Sequence, residues 1–142
     1  MSCMFELCRS LTDISPLKKW DVSGAVNMSF MFEDCCSLTS VNGMEKWDVL
    51  GVRNMSYMFS CCIPLTDISA IAEWDVSGVN NISYIFEGCG SLTDVSPLKG
   101  WDVSNITDMR KTFSECRSLS DISALMKWDV SNVRDMSFMF NT

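Results

Sequence analysis

The chain has 142 residues, 47% apolar and 20% charged with three prolines, a composition that buries a core and rules out a disordered tail. Eleven Lys and Arg against eighteen Asp and Glu give a net charge of −7, which argues against a nucleic-acid partner held through its phosphates. The absence of histidine removes Ser-His-Asp and Cys-His catalysis and every His-containing metal site, so the chain reads as non-enzymatic and without a cofactor.

No apolar run approaches the ~20 residues that cross a bilayer, and the first residues lack the basic-then-apolar plan of a signal peptide. Internal repetition organises everything else. Trp20, Trp47, Trp74, Trp101 and Trp128 are evenly spaced, 27 residues apart. With Trp as position 1, position 13 is Phe5, Phe32, Phe59, Phe86, Phe113 and Phe140, and position 16 is Cys8, Cys35, Cys62, Cys89 and Cys116. Position 19 is always Leu and position 3 always Val. The tryptophans with Phe32, Phe59, Phe86 and Phe113 form the expected structural core. Residues 1–142 read as one solenoid domain of about five repeats, a piece of a longer array with uncapped ends.

Taken in order from each Trp, positions 1 and 3 (Trp74 and Val76) predict an extended strand with both side chains inward. Position 8 is Asn27, Asn54, Asn81, Asp108 or Asp135, the residue type that caps a helix by accepting hydrogen bonds from its free amides. Positions 9, 12, 13 and 16, as in Met55, Met58, Phe59 and Cys62, follow i, i+3, i+4, i+7 and predict a short helix of about two turns. From position 16 the apolar residues step by three, which predicts an irregular coil with corners. No unit buries its own apolar skeleton, so the units must stack. The expected fold is an α/β repeat, a right-handed leucine-rich-repeat-like solenoid with short strands on one side and one short helix per coil on the other.

Several columns are candidates for chemistry. The aspartates at position 2 (Asp21, Asp48, Asp75, Asp102, Asp129) and position 21 (Asp13, Asp67, Asp94, Asp121) read as side-chain-capped turns, with a calcium-bridged ladder as the alternative. The column of cysteines reads as buried small hydrophobes. Cys36 and Cys61, in adjoining units, leave a disulfide open, whereas the vicinal pairs Cys35-Cys36 and Cys61-Cys62 lack the spacing of a metal site. Position 11 holds Phe30, Tyr57, Tyr84 and Phe138, which either form an exposed binding strip or fill the gap between adjacent helices. Arg110, Lys111 and Arg117 form the single basic patch of an acidic chain, or else drift at solvated positions.

The string WDVSNVRDMSFMF at Trp128 to Phe140, preceded by CRSLSDISALMK, resembles the BspA-like leucine-rich repeat surface proteins and lipoproteins, whose units read W-D-x-S-N-V-x-x-M-x-x-M-F-x-x-C-x-x-L. All five units match. The resemblance implies a cell-surface or extracellular module without catalytic activity that binds a protein or glycan ligand on another cell or matrix. It transfers no functional residue, because the shared positions are mainly structural. The alternative is a structural spacer or a unit that associates head to tail through its apolar ends. Neither reading inserts this chain into a membrane.

Overall fold

The computed structural model describes residues 1–141. Successive 27-residue coils lie directly on one another in register. Isolated parallel bridges join position 8 to position 8 through the array, from Asn27 and Asn54 to Asn81, Asp108 and Asp135, and one joins Ser40 to Asp67.

The α/β leucine-rich-repeat-like solenoid expected from the sequence does not form. Among the described residues there is no α-helix and no extended β-sheet, only turns, isolated bridges and 3-10 helices at Ser15–Lys19, Ser69–Ile71, Ser96–Gly100 and Ser123–Lys127. These lie within positions 23–27, just before Trp20, Trp74, Trp101 and Trp128, and two of them open with a proline at the first turn, where the missing N–H costs nothing. The second coil has Gly43 at φ +109° there instead.

Positions 9–16, expected to be the helix, are a ladder of tight turns. Their even-position amides bond inside the coil, as Met58 N–H does to the Met55 carbonyl at 3.2 Å. Their odd-position amides cross to the next coil: Met55, Tyr57, Phe59 and Cys61 donate to the carbonyls of Asn81, Ser83, Ile85 and Glu87 at 2.7–3.0 Å. The left-handed φ values at positions 11 and 15, for instance Tyr57 at 59° and Cys61 at 58°, reverse the chain often enough to allow this.

The physical reason is spacing. The position-8 bridges fix neighbouring coils at ladder separation, about 4.8 Å. Two-turn helices would need 8–10 Å between axes on the opposite side. Turning the amides toward the next coil keeps the two sides of the stack in step.

The apolar pattern nonetheless reports burial correctly. Phe32, Phe59, Phe86 and Phe113 are buried and stack on one another at 5.7–5.8 Å. Trp47, Trp74, Trp101 and Trp128 are buried, and each indole N–H donates to a carbonyl of the preceding coil: Leu17, Met44, Ile71 and Leu98, at 3.0–3.1 Å. Trp20 departs from the expected core. It is 38% exposed and leans on Phe5, with ring centroids 5.8 Å apart.

Candidate functional site

The corners of each coil come first, because they hold the side face in place. Asp21, Asp48, Asp75, Asp102 and Asp129 each accept the backbone N–H two residues on, at 3.0–3.1 Å. Asp13, Asp67, Asp94 and Asp121 do the same at 2.7–2.9 Å. The position-8 side chains also make this bond, as from Ser56 N–H to Asn54 at 2.9 Å, so they cap a turn where the sequence suggested a helix. The hydrogen bonds from Ser23, Ser77, Ser104 and Ser131 hold the carboxyls of Asp21, Asp75, Asp102 and Asp129 below their usual range.

Between the corners at positions 8 and 21 runs the face that carries the position-11 residues. Phe30, Tyr57 and Tyr84 are half-buried and stack ring on ring, with centroids 4.6 and 4.2 Å apart. Lys111 ends the ladder, its Nζ 5.5 Å above the Tyr84 ring. Among the described residues no helix forms at positions 9–16 for these rings to separate. They form a continuous strip whose ring faces are taken by one another and whose edges point outward. Phe138 lies beyond Lys111, 64% exposed and outside the stack. Burial, helped by a hydrogen bond with Tyr84, pushes the Tyr57 hydroxyl up to about 12.

An acidic column borders the strip at position 14, with Glu6, Glu33 and Glu87. Burial raises Glu33 above the usual carboxylate range, and the neighbouring charges of Glu6, Asp34 and Glu87 add to the effect.

The basic patch does not assemble. Arg110 pairs with Asp108 at 2.7 Å and approaches Asp135 at 3.6 Å, Lys111 covers Tyr84, and Arg117 pairs with Glu115 at 2.7 Å. Each cation is engaged by its own partner, so the three do not present a shared field.

All eight cysteines are free thiols. Cys35, Cys62, Cys89 and Cys116 are buried, and each thiol donates to the Phe carbonyl of the preceding coil at 3.2–3.3 Å. Cys8 is exposed. Cys36 lies 3.0 Å from an Asp34 carboxylate oxygen and 4.0 Å from the Cys61 carbonyl, so its sulfur faces that neighbour's backbone.

One feature of the face is not among the columns singled out in the sequence. Positions 15 and 17 carry side chains in the neighbouring coils, Cys61 and Ile63 before, Glu115 and Arg117 after, but Gly88 and Gly90 in the coil between. The result is an open notch of about 440 Å³ with Glu87 at its edge. The paired glycines within one unit were its signal.

A repeat protein of stacked 27-residue coils, with an aromatic and acidic side face, is the class these features define. Its family follows from the sequence match: the chain belongs to the family described as "Mycoplasma protein of unknown function, DUF285", which matches residues 1–119 and 38–142. No curated protein and no solved structure matches the chain.

Proposed function

We propose that the chain is a non-catalytic repeat module of a cell-surface or secreted protein, and that its position-11 face binds a protein ligand. The observation that carries this reading is the stacked strip of Phe30, Tyr57 and Tyr84, half-exposed and bordered by carboxylates. Aromatic edges with hydroxyl tips supply large contact area at low entropic cost, the chemistry that dominates protein interfaces. Of protein and glycan ligands the geometry favours protein, because a sugar ring packs on an aromatic face and these faces are occupied. The resemblance to BspA-like surface repeats supports the surface location and the adhesive role.

The test is binding of the soluble chain to a panel of purified matrix and serum proteins and to a glycan array. A protein ligand whose affinity falls at least about tenfold in a Tyr57→Ser, Tyr84→Ser double variant of unchanged circular dichroism supports the reading. Selective glycan binding, or binding that ignores the double variant, overturns it.

A second reading, a spacer that associates coil on coil, draws on the apolar surface of the last coil. Ile122, Val130, Met136 and Phe140 are exposed there, and Met126 is 84% exposed. Sedimentation that shows concentration-dependent growth, weakened when Met4 and Phe140 are replaced by charged residues, favours that reading.

A further inference from the structure

We propose that the notch over Gly88 and Gly90 receives a single cationic side chain, lysine or arginine, from a protein docked along the aromatic strip. The inference rests on the reading of this face as the binding face and adds the chemistry of the partner.

Shape comes first. The notch is one coil wide, its floor is bare glycine backbone, and it opens on the side face that also carries Tyr57 and Tyr84. At about 440 Å³ it sits at the lower end of the range for ligand pockets, too small for a folded domain and long enough for an extended side chain. Ile63 forms an apolar wall, 56% exposed, against which an aliphatic stem can pack.

Charge decides what the tip of that side chain must be. Glu115 is already held by Arg117 at 2.7 Å. Glu87 is not compensated: its carboxylate accepts the Ser60 hydroxyl at 3.0 Å and lies 3.7 Å from the Cys61 sulfur, and among the described residues no cation pairs with it. An ammonium or guanidinium group fits that oxygen pair; a carboxylate is repelled by it. The molecule uses the same device within itself, since Arg9 reaches from one coil to Asp34 of the next at 2.6 Å and Lys111 lies over Tyr84.

Gly90 gives a clean way to close the notch. A Cβ there meets only Ile63 Cγ2, at 3.9 Å, an ordinary contact, so Gly90→Ile copies the residue one coil earlier and fills the space without moving backbone. Gly88, at φ +72° and against Cys61, is left untouched.

The experiment titrates the isotope-labelled chain, at low salt, with capped tetra-arginine, tetra-lysine and tetra-glutamate peptides, followed by amide chemical shifts. The expected result is that at least one cationic peptide shifts Ile63, Glu87, Gly88 and Gly90, that Glu87→Gln and Gly90→Ile each weaken it about tenfold, and that tetra-glutamate shifts nothing there. Glu73→Gln removes the same charge from an exposed residue at another corner and is expected to change affinity less than about twofold. Equal losses in Glu87→Gln and Glu73→Gln, or no shift at the notch with either cationic peptide, overturn the proposal. A protein ligand lost in the Tyr57→Ser, Tyr84→Ser variant but retained in Gly90→Ile would leave the binding face standing and remove only the notch.

Discussion

The cysteine column shows how much one sulfur does in this molecule. The carbonyl at position 13 accepts two hydrogen bonds, one from the position-16 amide of its own coil and one from the thiol of the next, as at Phe59 with Cys62 N–H at 3.2 Å and Cys89 Sγ at 3.2 Å. Alanine would leave a void, valine would crowd the site, and both would leave that second bond unmade, which accounts for a column that holds cysteine and nothing else. A thiol in that role must keep its proton. Burial pushes Cys35 and Cys116 up to about 12 and raises Cys62 and Cys89 well above the ordinary thiol range. Alkylation at pH 8 should therefore modify the exposed Cys3 and Cys8 readily, Cys36 and Cys61 more slowly, and the four buried thiols only after denaturant is added. Mass mapping of the labelled sites checks this, and native labelling of Cys89 at the rate of Cys8 would contradict it.

At the scale of the coil, the same aspartate turn is used at two corners and its Asn or Asp equivalent at a third, and the hydrogen bonds have an energetic sign. Asp21, Asp67, Asp75, Asp102, Asp121 and Asp129 all have carboxyls held below their ordinary range by the amides and hydroxyls they accept. A depressed carboxylate contributes stability that is present above its unfolded value, about 3.9, and is lost as pH falls through the folded one. The urea midpoint should hold between pH 6 and 5 and drop below about pH 4. Replacing the position-2 aspartates by asparagine, which keeps the accepting oxygen but cannot titrate, should flatten that drop without unfolding the chain at pH 7.

What the sequence revealed at this scale, and what it hid, divides along a physical line. Side-chain columns report burial, so the Phe, Met and Val positions and the Asp-x-Ser corners were legible. The apolar spacing of Met55, Met58, Phe59 and Cys62 suits a helix, but it suits equally a ladder in which Tyr57 and Cys61 adopt left-handed φ. That conformation costs an aromatic or cysteine about 1–2 kcal/mol, and nothing in the residue types announces it. Only the separation imposed by neighbouring coils selects it, and spacing of that kind is a property of the stack. The same holds for the strip: Phe30, Tyr57 and Tyr84 were readable as neighbours, while the fact that their rings face one another rather than solvent was not. Phe138 was grouped with the strip, but Lys111 interrupts the column before it and leaves it outside the stack.

For the whole molecule, each coil is bonded chiefly to its two neighbours, so stability depends on position along the array. Phe86 is fully buried between Phe59 and Phe113, at 5.7 and 5.8 Å, whereas Phe140 is 43% exposed and stacks on one side. Phe86→Ala should cost about 3–5 kcal/mol in chemical denaturation, the range for a buried phenylalanine, and Phe140→Ala clearly less. Equal losses would mean that the chain unfolds as one indivisible core.

The one-way hydrogen bonds of the turn ladder have an electrical meaning. In every junction the amides of positions 9, 11, 13 and 15 point toward the higher-numbered coil, as Ile82, Tyr84, Phe86 and Gly88 do toward Asp108, Arg110, Thr112 and Ser114. In a β-sheet such dipoles alternate and cancel; here they add, at about 3.5 D per peptide, as they do along a helix. The backbone bonds that run the other way, as from Asn80 to the Arg53 carbonyl, Thr66 to Thr39 and Ser91 to Ile63, sit at other columns of the coil, and the position-16 thiols that donate backward are side chains that add no opposing peptide dipole. The aromatic face therefore carries a potential that becomes more positive along the stack from Met1 toward Phe140, so a charged ligand on it experiences a preferred direction as well as a preferred place.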